Sequence, residues 1–186
     1  MSGHSKWSQI KHQKGAADAA KSREFSRFSR LISIESKKAA GNLTSPGLMA
    51  AVARAKAANM PKDSIDRAVA KGNSKDAGEL DSVLYEFYGP GGTALIVSAV
   101  TDNKNRTTQE IKHVLSKNGY ELGTPGSALW AFTKSNTEGF TPNEPLMEVA
   151  VDDEEKLGAI LSLLDEHEDV QEIYSNARGY ETTRDE

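Results

Sequence analysis

Lysine, arginine and aromatic residues are concentrated in the first thirty positions of this chain. The cations are Lys6, Lys11, Lys14, Lys21, Arg23, Arg27 and Arg30, with Trp7, His12, Phe25 and Phe28 among them. Cations neutralise phosphates and release counterions, and a ring such as that of Trp7 can stack on an exposed base. The cluster therefore predicts a nucleic-acid-binding surface. The alternative is a solvated helix face, with Trp7 holding the N-terminal arm against the helices.

Three arginines of this cluster form a regular spacing with Lys37. Arg23, Arg27, Arg30 and Lys37 follow one another at i, i+4, i+7 and i+14, which places them on one side of a helix. Like charges so arranged repel one another unless an anion covers them. The stripe therefore favours a phosphate polymer as partner.

A second candidate is the segment DNKNRT, Asp102 to Thr107. It joins a predicted strand to a predicted helix, and the N-terminus of a helix attracts anions through its free N–H groups and dipole. Lys104, Asn105 and Arg106 would add donors and positive charge for a phosphate. Ordinary helix capping with two cations nearby is the competing interpretation.

Residue patterns for catalysis are not found. The histidines, His4, His12, His113 and His167, lack metal-ligand spacing, and there is no Cys for a thiol nucleophile or a Cys-ligated metal. Gly15 to Ser22 resembles a phosphate-binding loop but has Ala20 in place of the required second glycine, and no apolar strand precedes it. We expect no enzyme activity, no cofactor, no metal site and no small-molecule substrate.

The net charge of −4 hides an uneven distribution. Residues 1–75 hold 15 Lys+Arg and 5 Asp+Glu (15 − 5 = +10), whereas residues 76–186 hold 8 and 22 (8 − 22 = −14). This break predicts a basic all-helical domain over 1–75, including the arm, and an acidic α+β domain over 79–178. The N-terminus lacks an apolar signal segment, and no apolar run could span a bilayer. We expect a cytoplasmic protein that does not contact membranes.

The periodicity of apolar residues predicts the elements that position these candidates. We expect helices over residues 16–40, from 45–46, near 61–72, over 107–119 with a Thr107–Glu110 capping box, and over 153–167. Strands are expected at 82–88, 93–101, 128–133, 146–151 and 170–174, with 93–101 central. Residues 134–145 should form a loop and Gly179 to Glu186 should be frayed. This order predicts an α+β sandwich, in which helices cover one face of a mainly antiparallel sheet.

Several segments together resemble the YebC/PmpR family. They are GHSKW (3–7), IKH (10–12), ANMPKDSIDRA (58–68), YGPGGTALIV (88–97), DNKNRT (102–107), SKNG (116–119), LGTPGS (122–127) and DVQEIY (169–174). The resemblance implies an N-terminal helical domain followed by two α+β domains, the third inserted in the second. Here the inserted domain is reduced to a loop near residues 134–145, so functions of a groove between the second and third domains are not expected to carry over.

The family includes proteins named as probable transcriptional regulators and a mitochondrial translational activator. The resemblance therefore implies a DNA-binding regulator of transcription or, alternatively, a ribosome-associated translation factor that binds RNA. Neither base-reading side chains nor an aromatic RNA-binding signature stand out, so the sequence predicts phosphate contacts in either case. It leaves the oligomeric state open.

Overall fold

The computed structural model describes residue 6 and residues 17–40, 42–74, 80–135 and 139–183. The elements are helices α1 (Ala17–Ala39), α2 (Pro46–Ala57) and α3 (Lys62–Asn73), strands β1 (Asp81–Tyr88) and β2 (Ala94–Thr101), helix α4 (Lys104–Lys117), strands β3 (Phe132–Lys134) and β4 (Phe140–Pro142), helix α5 (Val151–Asp165) and strand β5 (Val170–Ser175). The predicted α+β class is confirmed. Within the described ranges, no helix is both long and apolar enough to cross a bilayer.

The chain divides into two compact units. Among the described residues, the helical unit takes 17–82 and 100–103, and the α+β unit takes Lys6, 83–99 and 104–183. The domain boundaries inferred from the charge break stay a prediction.

Small side chains build the core of the helical unit. Its buried members are Ile32, Leu48, Ala51, Ala55, Met60, Ile65 and Ala68. Three of these seven are alanine, so the helices can approach closely although each buries little apolar area. Pro46 lies at the start of α2, as predicted, and its missing N–H is one that a first helical turn leaves unused.

Helices α1 and α3 are fixed to one another by direct polar contacts. The Ser33 hydroxyl donates to the carbonyl oxygen of Ala68 at 3.0 Å, and the Ser36 hydroxyl donates to that of Val69 at 2.9 Å. Gly72 is buried, and a Cβ at this position would meet the Ser33 carbonyl oxygen and lie 2.7 Å from the Ser36 Cβ. The spacing of the two helices therefore depends on the absence of a side chain at residue 72.

We expect Gly72→Ala to lower the free energy of unfolding by about 1–3 kcal/mol, the usual cost of overpacking. The sign is informative, because the same change at an unobstructed helix position stabilises by about 0.5–1 kcal/mol. Urea unfolding followed by helical circular dichroism measures the difference. A variant that unfolds at higher urea than the unsubstituted protein would contradict the close approach.

A three-stranded sheet, in the order β1-β2-β5, forms the centre of the α+β unit. Strand β2 runs antiparallel to β5, with Val97 opposite Ile173. One face of the sheet packs against α4 and α5 through a buried cluster that includes Leu95, Val97, Ile111, Leu115, Leu157, Leu161 and Ile173. The predicted helices on one face of the sheet are therefore observed.

The opposite face of the sheet is covered by the antiparallel β3–β4 pair. Ala94, Ile96 and Tyr174 from the sheet pack with Ala131 and Phe132. Strand β2 is thus buried on both faces, as expected for a central strand.

Four local predictions are wrong, and the first is the loop expected at residues 134–145, which contains strand β4 (Phe140–Pro142). Residues 128–133 form a 3₁₀ turn (Leu129–Ala131) before the short β3, and residues 146–151 contribute an isolated bridge from Met147 to Ala177 rather than a strand. The expected frayed end is ordered as far as Thr183, whose N–H donates to the Ile173 carbonyl oxygen at 3.0 Å. Because Thr182 also pairs with Tyr174, this segment occupies the edge of β5 at which a further strand would have paired.

Candidate nucleic-acid interface

The predicted arginine stripe lies on α1 and is only partly exposed. Arg23, Arg27 and Arg30 are each half-buried, whereas Lys37 is exposed. Arg30 donates from Nη1 to the carbonyl oxygen of Val100 at 3.4 Å, and both Arg27 and Arg30 have further interactions within the protein. Their aliphatic stems therefore cover part of the helical unit, as long cationic side chains commonly do.

A groove with a volume of about 550 Å³ runs between α1 and α3. It is lined by Lys21, Ser22, Phe25, Ser26 and Ser29 from α1, by Ser64, Arg67, Ala68 and Lys71 from α3, and by Met60 before α3. We call it the α1–α3 groove. Its floor is apolar, because Met60 and Ala68 belong to the buried core and Phe25 packs against that core.

The rim of the α1–α3 groove is cationic. Lys21, Arg67 and Lys71 are exposed, and among the residues that the structure describes no acidic side chain lines the groove. The Lys21 Nζ lies 5.7 Å from the centroid of the Phe25 ring. Arg67 donates from Nε to the Asp63 carbonyl oxygen at 3.1 Å and from Nη2 to the Ser64 hydroxyl at 3.2 Å. These contacts orient the cations without neutralising them.

Of the predicted site residues that the structure describes, the groove includes only Lys21. Sequence reasoning missed its partners on α3, Ser64, Arg67 and Lys71. The signal was available, since these three residues follow one another at i, i+3 and i+7 and therefore share one helix face. Which face of α3 meets α1 depends on contacts that are distant in sequence, such as Ser33 to Ala68.

The DNKNRT segment opens α4 earlier than expected. The helix begins at Lys104, so Thr107 lies inside it, and the Thr107 hydroxyl donates to Asp169 at 2.6 Å instead of capping the helix. Lys104 and Asn105 are exposed. The segment leading into the helix is held by the Asn103 N–H, which donates to the Thr101 hydroxyl at 3.0 Å.

Arg106 is tied into a network of side chains from α4 and the start of β5. Its Nη2 donates to Asp169 Oδ2 at 3.0 Å, and its Nε lies 3.8 Å from Glu110 Oε2. A phosphate at this site would compete with both carboxylates for Arg106. Burial raises the pKa of nearby Tyr85, whose hydroxyl lies 3.1 Å from that of Thr108.

Glu110, His167 and Asp169 bring ligand atoms within 4.8 Å of one another, an arrangement that the sequence did not indicate. The His167 Nδ1 accepts a hydrogen bond from the Asp169 N–H at 3.1 Å. The neutral ring therefore carries its proton on Nε2, which lies 2.9 Å from Glu110 Oε2. Because Asp169 also accepts from Arg106 and Thr107, the group fits a hydrogen-bond network better than a cation site.

Most of the predicted N-terminal arm lies outside the described residues, including Trp7, Lys11, His12 and Lys14. Lys6 is described, and its ammonium pairs with Glu154 in the α+β unit. The hydrogen bond to Glu154 raises the pKa of Lys6, so Lys6 remains a cation at neutral pH.

Comparisons with known proteins match most of the chain to one family. The pattern of the TACO1/YebC protein N-terminal domain matches residues 5–75, and that of the TACO1/YebC second and third domain matches residues 80–142. Among curated relatives, a probable transcriptional regulatory protein of Petrotoga mobilis is 52% identical over 136 residues, which cover 72% of this chain and 54% of the relative. Another, of Desulforapulum autotrophicum, is 44% identical over 82% of this chain and 64% of the relative.

The chain thus spans somewhat over half the length of these relatives. A solved structure is also similar, that of a conserved hypothetical protein from Aquifex aeolicus. It is 27% identical with a TM-score of 0.78, and the match covers 92% of this chain and 96% of that one.

Proposed function

This chain belongs to the TACO1/YebC family, and from that premise we propose that it is a nucleic-acid-binding regulator that contacts phosphates through its helical unit. The α1–α3 groove carries the proposal, because three cations lie on its rim and its lining within the described ranges contains no acidic side chain. We favour DNA as the target, since the similar curated proteins are named probable transcriptional regulatory proteins.

The chemistry of this surface supports contacts to the backbone of the polymer. Lysine, arginine and serine donate hydrogen bonds to phosphate and sugar oxygens, and such contacts position a protein without reading sequence. The Lys104 and Asn105 side chains are exposed at the start of α4 and can act in the same way in the α+β unit. We assign both surfaces to phosphate binding.

We propose no catalytic step. Buried carboxylates in the α+β unit already have protein donors, as Glu86 and Asp169 show. The histidine–carboxylate pair that could suggest acid–base chemistry, His167 with Glu110, includes a side chain that is 47% exposed. We place the protein in the cytoplasm.

The net negative charge of residues 76–186 would repel a bound polymer. This repulsion would direct the polymer to the helical unit.

Binding to duplex DNA should weaken steeply with salt. If about six phosphates are engaged, the logarithm of affinity should fall with the logarithm of salt concentration with a slope near −5. Fluorescence anisotropy over a salt series measures this slope. The Arg67→Ala variant should bind all sequences more weakly and reduce the slope by about 1, since it removes one cation from the rim of the α1–α3 groove. A flat salt response would refute electrostatic binding.

A ribosome-associated translation factor is the second candidate. The rim of the α1–α3 groove suits RNA as well as DNA, because serine and lysine can contact the phosphates of both polymers. Sedimentation of tagged protein through a sucrose gradient, with and without nuclease, separates the two candidates. Co-migration with intact ribosomes and no enrichment of promoter DNA would select the translation factor.

A further inference from the structure

We propose that the α1–α3 groove binds one unstacked nucleotide of a single-stranded nucleic acid. The base lies on the apolar floor, and the adjoining phosphates contact the cationic rim. The inference rests on the proposed function and narrows it, because it distinguishes single strands from duplexes.

The apolar floor of the groove favours a single strand, because contacts to the backbone of a duplex do not require an apolar surface. An open cationic surface is enough to bind the phosphates of a duplex. A base that has left its stack is stabilised by an apolar surface in a groove. Met60 is 6% and Ala68 3% exposed, and together with Phe25 they form such a surface. The volume of about 550 Å³ falls within the range of about 300–1,000 Å³ that is typical of small-ligand sites.

The distance between the cationic rim and the apolar floor suits a single nucleotide. A nucleotide joins its base to its phosphate through a single sugar, so its site must set a cation next to an apolar surface. Lys21 does so, with its Nζ 5.7 Å from the Phe25 ring. On α3, Arg67 and Lys71 provide cations for the neighbouring phosphate, and within the described ranges neither forms an ion pair.

Serine hydroxyls complete the lining. Three serines of α1 and one of α3 line the groove: Ser22, Ser26, Ser29 and Ser64. A hydroxyl both donates and accepts, so it can serve phosphate oxygens or the polar edge of any base. Such a lining accepts many bases, and we therefore expect weak sequence preference.

The walls of the groove are fixed by contacts within the protein. Ser33 and Ser36 donate to carbonyl oxygens of α3, and Gly72 lets the two helices approach closely. Because the walls are fixed in this way, little ordering should accompany binding, and less of the interaction energy is lost.

The first test fills the groove without changing its charge. The double variant Ser26→Leu/Ser64→Leu adds apolar volume to both walls, and Ala53→Leu/Ala57→Leu adds the same side chains at exposed positions of α2 as a matched control. Anisotropy is measured at one salt concentration with a short oligothymidylate, its RNA counterpart and a duplex of equal length, after circular dichroism confirms folding.

We expect the unsubstituted protein to bind both single strands more tightly than the duplex. The filled variant should lose about tenfold in single-strand affinity, the effect of one lost base contact, with less than a twofold change on the duplex. The α2 control should match the unsubstituted protein. Equal losses on single strand and duplex, no loss, or a preference for duplex would overturn the inference. Binding to none of the three probes would refute the proposed function itself.

The second test removes a rim charge. Lys71→Ala should weaken oligothymidylate binding and reduce its salt slope by about 0.7, the value for one phosphate of a single strand. Lys56→Ala removes an equal charge from an exposed position of α2 outside the groove, and its slope should not change. Equal effects of the two variants would show that only the overall charge matters and would overturn the assignment to the groove.

Discussion

Replacing Glu86 by alanine is expected to lower the free energy of unfolding of the α+β unit by about 3–4 kcal/mol. The Glu86 side chain lies in β1, is 4% exposed and accepts three backbone hydrogen bonds. They come from the N–H groups of Gly126 and Ala128 at 2.7 Å and of Leu129 at 2.9 Å. Without the carboxylate, these donors lose a charged acceptor, and the loop loses its attachment to the sheet.

Denaturant unfolding followed by tryptophan fluorescence in a Trp7→Phe background measures this loss, because Trp130 is then the one remaining tryptophan of the sequence and directly follows the tethered segment. Glu121→Ala removes a carboxylate from an exposed position before the same loop and serves as the control. Hydrogen exchange should also accelerate at residues 126–129 in the Glu86 variant alone. If both variants unfold at the same denaturant concentration, Glu86 does not anchor the loop.

The same contact explains a limit of sequence reasoning. Residues 128–133 contain Leu129, Trp130 and Phe132, and this apolar content indicated a strand. In the structure two N–H groups of this segment are held by a side chain some forty positions earlier, and a 3₁₀ turn results. Local pattern cannot report a tertiary contact that overrides it.

Elements with strong periodicity were predicted well. The strand expected at 93–101 is β2, and the one expected at 170–174 is β5, because both are apolar segments that the core must bury. The alternating segment 146–151 failed for a different reason. A strand requires a partner edge, and residues 181–183 take the available edge of β5 through hydrogen bonds to Ile173 and Ser175.

Only part of the candidate site was predicted, because the pairing of its two helices is set by contacts that are distant in sequence. Charge clustering indicated α1, and Lys21 does line the groove with α3. Arg67 and Lys71 were not indicated, because Asp63 and Asp66 offset most of the positive charge of their helix, and because its pairing with α1 is a long-range property. The roles of Lys104, Asn105 and Arg106 in binding stay predictions, although their helix starts three residues earlier than expected.

Asp169→Asn is expected to destabilise the α+β unit by about 2–4 kcal/mol, since hydrogen bonds to a charged group contribute about 1.5–3 kcal/mol each. Asp169 is 2% exposed and accepts from the buried Thr107 hydroxyl at 2.6 Å and from Arg106 at 3.0 Å. These bonds join the first turn of α4 to the start of β5. The amide of asparagine would retain one acceptor but would turn a donor towards groups that themselves donate. Thermal unfolding measures the effect, and a change below about 1 kcal/mol would be too small for a buried charged acceptor.

Alanine variants of Arg106 and Lys104 distinguish an effect on stability from an effect on nucleic-acid binding at the start of α4. Arg106→Ala should lower stability by about 1–2 kcal/mol, less than Asp169→Asn, because the Arg106 side chain is 44% exposed and water partly screens its pair with Asp169. Lys104→Ala removes an equal charge two residues earlier, where the side chain is exposed, and should leave stability unchanged. If Arg106 also binds phosphate, both variants should reduce the salt slope for DNA by about 1 when measured well below their unfolding temperatures. A reduced slope for Lys104→Ala alone would show that Arg106 only positions α4 through Asp169, since its charge would then be neutralised within the protein.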